Sequence, residues 1–201
     1  MKKTSIFICT LVTIATFAAE ITYNGNFETC VPNSKGVPQP WGWNKTRTVA
    51  KKAEVYLVKD AECVRSGNFA LCSEVEKGGN LFFRSLKEFP IEPGDTLEME
   101  IYTKGTGKYS LQYIVNGVGN PKYSSFLGTH GTGRRYQAAK EDKWEKYNPK
   151  VTFTPPPKAK GKFTKFVVIP VIVAREDSEL YFDDFSIKIC FLLHFHRICS
   201  R

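Results

Sequence analysis

Polar and apolar positions alternate along most of this chain, and helical periodicity is nearly absent. Over residues 96–102, Leu97, Met99 and Ile101 fall on one side, while Thr96, Glu98, Glu100 and Tyr102 fall on the other. Over residues 109–115, Tyr109, Leu111, Tyr113 and Val115 alternate with Ser110, Gln112 and Ile114. A period of two sends successive side chains to opposite faces of a strand, so both stretches predict half-buried strands. Residues 55–58, 69–75, 81–89 and 163–173 are rich in β-branched and aromatic residues and predict further strands. Turn signals separate them: Ser66-Gly67-Asn68, Gly78-Gly79-Asn80, Glu92-Pro93-Gly94-Asp95 and Gly105-Thr106-Gly107. Many short strands at this spacing predict an all-β antiparallel sandwich or barrel. Residues 138–147 are the one stretch compatible with a short helix, and they lack an apolar stripe.

The first residues break this rhythm. Lys2 and Lys3 precede an apolar stretch over 6–17, which ends in Thr16-Phe17-Ala18. This is the pattern of a cleavable secretory signal, with cleavage expected before Ala19. The stretch is too short to cross a bilayer core of roughly 30 Å, which takes about 20 apolar residues, and no later run is long enough either. The expected organisation is a signal peptide at 1–18, one β-sandwich at 19–189 and a tail of unassigned role at 190–201. The expected location is secreted, periplasmic or cell surface.

Charge and cysteines refine this picture. Loss of Lys2 and Lys3 takes the formal net charge from +9 to +7. That charge either steers acidic partners weakly or simply keeps copies of the protein apart; the export signal disfavours nucleic acid. Of six cysteines, Cys9 lies in the signal, leaving Cys30, Cys63, Cys72, Cys190 and Cys199. An odd number leaves one thiol free or paired between chains. A two-residue turn at Gly67-Asn68 would set Cys63 and Cys72 directly opposite each other, where they form either a disulfide or two buried thiols. No Cys-x-x-Cys pair occurs, and His130, His194 and His196 join no ligand motif, so no zinc site is expected.

Several motifs follow one another along the chain. Asn24-Gly25-Asn26-Phe27-Glu28 opens it, followed by Pro38-Gln39-Pro40-Trp41 and Ser66-Gly67-Asn68-Phe69-Ala70-Leu71. Ile91-Glu92-Pro93-Gly94-Asp95-Thr96-Leu97 and Trp144 come next, and Leu180-Tyr181-Phe182-Asp183-Asp184-Phe185-Ser186-Ile187 closes it. In this order they resemble the jelly-roll carbohydrate-binding modules appended to bacterial cellulases, xylanases and related glycoside hydrolases, over residues 21–189. The resemblance implies a two-sheet antiparallel jelly roll of the galactose-binding-like kind. It also implies a non-catalytic module that binds polysaccharide, alone or with a partner glycoside hydrolase. A structural or adhesive cell-surface sandwich without sugar binding is the alternative.

The resemblance further implies a structural calcium near the meeting of the first and last strands, held by Glu28 and Asp183, with Asp184 as substitute if a bulge shifts the register. Counting back by two from Ile189, Ile187 and Phe185 puts Asp183 on the apolar face. A carboxylate there is costly unless a metal or hydrogen bonds compensate it. Calcium would need oxygen ligands; backbone N–H groups are the other means.

Sugar contacts are expected from aromatic faces and polar side chains at Trp43, Tyr102, Gln112, Tyr123, Arg135 and Tyr136, with Trp41 in the core. Residues 116–147 form a long, Gly-rich polar segment, and such segments often carry function. Within it Arg134 and Arg135 stand beside Tyr136, with Lys140 and Lys143 following, which is either a solvated basic loop or a site suited to an acidic polysaccharide. An enzyme is not expected. A glycosidase needs two carboxylates across a cleft, whereas Glu98 and Glu100 share one strand face about 7 Å apart. Neither a Gly-x-Ser-x-Gly elbow nor a His-Glu-x-x-His helix occurs.

Overall fold

The computed structural model describes residues 18–21, 24–32, 38–48, 52–132 and 136–191. Residues 1–17, which carry all but the end of the expected signal, lie outside the described residues, as do 192–201 of the tail. The strands are β1 (Ala18–Ile21), β2 (Cys30–Pro32), β3 (Pro38–Pro40), β4 (Trp43–Thr48), β5 (Ala53–Val58), β6 (Ala70–Val75), β7 (Asn80–Ser85) and β8 (Phe89–Ile91). They continue as β9 (Thr96–Thr106), β10 (Lys108–Val118), β11 (Phe126–Gly131), β12 (Gln137–Ala138), β13 (Glu145–Tyr147), β14 (Lys150–Thr152), β15 (Lys165–Arg175) and β16 (Ser178–Cys190). One short 3-10 turn, Pro157–Ala159, is the helical element among the described residues. The stretch 138–147, compatible with helix in the sequence, is extended at both ends in β12 and β13.

Two antiparallel sheets face each other. Sheet I runs β13-β9-β16-β6-β5, with β14 also on β9 and β1 on β16; sheet II runs β11-β10-β15-β7-β4, with β12 on β10 and β8 on β15. The fold is thus a two-sheet antiparallel β-sandwich. The alternation read from the sequence sets its core: Leu97, Met99 and Ile101 face inward from sheet I, and Leu111 and Val115 from sheet II, all nearly inaccessible to water. Trp43 lies in the middle, its ring stacked on Phe83 at 5.4 Å, edge-on to Phe185 at 5.2 Å and tilted against Phe27 at 5.8 Å. Such aromatic pairs add about 1 kcal/mol each beyond the burial of their area. Trp43 is therefore core and Trp41, 46 % exposed, is surface, the reverse of the sequence expectation. Trp43 opens β4 and Trp41 sits in the turn two residues before it, and alternation alone does not say which of i and i+2 first enters a strand.

Two register features depart from simple counting. On β16, Asp183 pairs with Tyr102 but Ser186 pairs with Glu100, so three steps on one strand match two on the other. This bulge, with Asp184 at φ +48°, moves Asp183 to the outer face of sheet I while Phe182 and Phe185 both face the core. On the hairpin, Tyr56 pairs with Cys72 and Val58 with Ala70, so residues 59–69 form one long loop and not a two-residue turn at Gly67-Asn68. Cys63 accordingly lies in that loop, not opposite Cys72, and both thiols are free. Burial lifts the Cys72 thiol to about 12, with Tyr56 opposing it, so it is not a nucleophile near neutrality.

The opening segment docks against the bulge. Phe185 N–H donates to the carbonyl of Gly25 at 2.8 Å, and a Cβ on Gly25 would overlap the Phe185 carbonyl. Gly25→Ala must therefore push the segment off β16 and cost about 3 kcal/mol or more, read as a lowered midpoint in urea unfolding.

Candidate functional site

The outer faces of the two sheets are the surfaces on which a ligand chain could lie, and they differ sharply. On sheet I the loop 59–69 folds back over the face. Lys104 Nζ donates to the Glu62 carbonyl at 2.7 Å, and the Arg65 guanidinium lies 3.5 Å from the centre of the Tyr102 ring while pairing with Asp184. The ring face that a sugar would stack on is covered by the protein's own arginine. An open, polar pocket remains beside it, lined by Asn26, Arg65, Glu100, Tyr102, Asp184 and Ser186.

Two carboxylates hold this loop down. Glu28 accepts from the backbone N–H groups of Asn68 (2.8 Å) and Phe69 (2.9 Å) and from the Asn68 side chain (3.0 Å). Asp183, 0 % exposed, accepts from the N–H groups of Arg65 (3.0 Å), Ser66 (3.0 Å) and Asp184 (2.7 Å). Gly67, at φ +70°, lets the loop pass against Glu28, where a Cβ would collide with its carboxylate. For a structural calcium this donor set does not fit as it stands: the lone pairs of both carboxylates point at N–H donors, and a cation needs carbonyl or carboxylate oxygens in those directions. Among the described residues there is no group of three or more His, Cys, Asp or Glu able to hold a metal ion.

Glu98 and Glu100 also lie on sheet I and share one partner, Asn148 Nδ2, at 2.9 and 3.0 Å. Lys150 pairs with Glu98 at 3.0 Å and Lys146 with Glu100 at 2.7 Å. Asn148, then Lys150, hold Glu98 below the usual carboxylate range, the opposite of what a general acid requires.

The outer face of sheet II is built differently. Along β15, Ile169, Val171 and Val173 point away from the core, as their pairing with Ile114, Gln112 and Ser110 shows, yet all three are buried and Val173 is 0 % exposed. One row across the sheet reads Asn44, Arg84, Val171, Gln112 and Gly131; Phe82, Val173 and Ser110 stand in the next. Arg84 and Gln112 are its central polar groups. Gln112 Nε2 reaches the Ser110 hydroxyl at 3.1 Å, and Arg84 Nε is buried without a hydrogen-bond partner. A buried unpaired donor is costly, and Trp43 Nε1 and Thr103 Oγ1 share that state in the interior. Beside this row β11 ends at Gly131 and the chain returns to β10 at Gln137, opposite Tyr109. Tyr136 thus comes level with Ser110, and its ring stacks on Arg175 at 4.1 Å.

The sequence-derived candidates are therefore split between surfaces. Tyr102 and Gln112, both expected on one outward face, lie on opposite sides of the molecule because β9 and β10 belong to different sheets. Tyr136 lies one row away from Gln112, with its ring on Arg175; Tyr123, 45 % exposed, lies farther along at the Val118 end of β10, edge-on to Phe163 at 6.2 Å. Trp43 is interior, and Arg135 lies outside the described residues together with Arg134. Sequence reasoning missed Arg84, whose only signal was a polar residue alternating with Phe83 in a run of apolar ones.

Two measurements test the clamp on the loop. Glu28→Ala leaves the N–H groups of Asn68 and Phe69 without their acceptor and should cost about 2 kcal/mol in urea unfolding, while chelator added to the wild type leaves its melting temperature unchanged. Burial lifts the Asp183 carboxyl to about 6, with the Ser66 N–H pulling it down and the Asp184 charge pushing it up. The native state then holds a proton that the unfolded chain has lost. The stability from this group is full below about pH 4 and lost as pH rises through about 6. Asp183→Asn should remove that slope from unfolding free energies measured across the same range.

No family model matches the sequence, and no curated protein is similar to it by sequence. Among solved structures, the chain is similar to the N-terminal CBM22-1-CBM22-2 tandem domain of Paenibacillus barcinonensis Xyn10C, with 10 % identity and a TM-score of 0.53 over 92 % of this chain and 49 % of that one. It is similar to the enzymatically active domain of Bacteriophage CBA120 tailspike protein 4, with 15 % identity and a TM-score of 0.51 over 85 % of this chain and 21 % of that one. It is also similar to a cyclase from Fischerella sp., with 15 % identity and a TM-score of 0.50 over 86 % and 96 %. The chain thus spans about half and about a fifth of the first two. At these identities the likeness is one of fold: the chain is a jelly-roll β-sandwich of the kind seen in carbohydrate-binding modules.

Proposed function

We propose that this protein is an exported, non-catalytic module that binds a polysaccharide along the outer face of sheet II. The observation that carries the reading is the row Arg84–Val171–Gln112. It sets the half-buried Arg84 guanidinium and Gln112 amide beside an apolar floor, which is the chemistry a sugar ring needs: groups that exchange hydrogen bonds with hydroxyls, and apolar groups for C–H faces to lie on. From Ser110 to Asn116, β10 presents about 20 Å of such surface, long enough for several rings. The fold shared with the CBM22 tandem domain supports the same reading, and the paired, charged state of Glu98 supports a binding role over glycoside hydrolysis.

Location outside the cytoplasm, from the signal at 1–18, belongs to the proposal. So does a partner glycoside hydrolase on which the module would act as an accessory. A structural calcium at Glu28 and Asp183 would require the loop 65–69 to turn its N–H groups away.

Affinity electrophoresis of the protein against a panel of soluble xylan, glucan and galactan tests the site. Arg84→Ala and Gln112→Ala should each weaken retardation by about tenfold in dissociation constant, with unchanged melting temperature, whereas Tyr102→Ala should leave it unaltered. Equal loss from Tyr102→Ala, with none from Arg84→Ala, would move the site to sheet I.

A further inference from the structure

The face of sheet II changes character toward one end. There β10 closes at Val118 opposite Lys165, and Phe126 pairs with Asn116. Phe126 is 53 % exposed, with the Lys158 ammonium 5.4 Å from its ring centre. Tyr123 presents a second exposed ring, with the Lys162 ammonium at 5.2 Å. Lys122, Lys160 and Lys165 are exposed on the same loops and strand end. None of these five lysines forms an ion pair among the described residues. Those on the other sheet's edge do: Lys140 and Lys143 with Glu145, Lys146 with Glu100, Lys150 with Glu98. Five lysines without an ion pair are thus gathered around two exposed rings, although others, among them Lys52, Lys59, Lys77 and Lys108, lie elsewhere on the molecule. Their field is felt nearby: burial first, and then the Lys158 charge, hold His130 below its ordinary range. The acidic groups flanking this end are Glu88, 3.5 Å from Asn116 Nδ2, and the exposed Glu92 after β8.

We infer that the Tyr123–Phe126 end binds the charged sugars of an acidic polysaccharide, whose chain continues from the Arg84–Gln112 row onto these two rings. This rests on the polysaccharide reading of sheet II and adds the substrate class. Two features favour a glycan over a lipid surface. The basic end is continuous with the proposed sugar face through Ile114 and Asn116 on β10. Its exposed large apolar groups are Val118, Tyr123 and Phe126, too few to enter a bilayer. Each ring supplies a flat face for a sugar, and the ammonium beside it is a mobile point charge that meets a carboxylate or sulfate without demanding a fixed geometry.

The test measures binding of the full chain to polygalacturonate and to neutral xylan by isothermal titration at about 50 and about 500 mM salt, over which the Debye length falls roughly threefold. Polygalacturonate should bind at least about tenfold more weakly at the higher salt, and neutral xylan should be insensitive to it. The double variant Lys158→Ala/Lys162→Ala should lower polygalacturonate affinity about tenfold while keeping the melting temperature and any xylan binding, and Phe126→Ala should lower it by a similar factor with an unchanged melting temperature. Binding to xylan through Arg84 with no preference for polygalacturonate would overturn the acidic class and leave the sugar face standing. Polygalacturonate binding untouched by the lysine and Phe126 variants would overturn the placement. Failure to bind any polysaccharide would overturn both readings. Tighter binding to phosphatidylglycerol vesicles than to polygalacturonate, lost in the same variants, would assign this end to a lipid surface instead.

Discussion

The bulge on β16 is the constraint on which the rest of this structure turns. One extra residue between Asp183 and Ser186 reverses which side chains of the closing strand face the core. It lets Phe182 and Phe185 both pack inward, releases the Phe185 N–H to the Gly25 carbonyl, and delivers Asp183 to the outer surface. A carboxylate on an outer surface would ordinarily be solvated. Here the loop 59–69 folds over it, and its backbone N–H groups replace the lost water. The opening segment contributes Glu28 to the same loop from the other side. Opening motif, closing motif and loop therefore form one hydrogen-bonded knot at the junction of the terminal segments.

That knot decides which face of the sandwich is open. With the loop drawn onto sheet I, Arg65 covers Tyr102 and Lys104 is tied to the loop carbonyl of Glu62, so the most conspicuous outward aromatic of the central strands is engaged. Among the described residues, no hydrogen bond or ring contact ties a loop down over Arg84 and Gln112 in the same way. On one side Gly131 and Gln137 pair with Gln112 and Tyr109 of β10, and at one end lie the basic turns before β15. The charge distribution follows the same division: paired lysines along the β13–β14 edge of sheet I, unpaired ones at the Phe126 end of sheet II. Since exposed ion pairs contribute little to stability, this asymmetry bears on partners more than on folding.

Much of the fold was legible from the sequence by itself. Strand identity, the inward faces of β9 and β10, and the turn at Glu92–Asp95 all follow from a period of two and from local turn chemistry, which act over a few residues. So does the class of architecture; Glu28 and Asp183 were expected as calcium ligands from the resemblance, and in the structure both accept backbone N–H groups of the loop 59–69. What local chemistry does not contain is which sheet a strand joins, where a bulge falls, and which of two nearby aromatics enters the core. Tyr102 and Gln112 are ten residues apart and share the same outward pattern, yet β9 pairs with β16 and β10 with β15, so they look out from opposite sides of the molecule. Trp43 displaced Trp41 from the core because Phe27, Phe83 and Phe185 converge on it from three separate segments. Cys63 left its expected place opposite Cys72 because long-range pairing with Glu28 and Asp183 holds residues 65–69 in a loop, and that outweighs the local preference of Gly67-Asn68 for a tight turn. Alternation belongs to the chain; partner, register and accessible face are set by contacts between residues far apart in it.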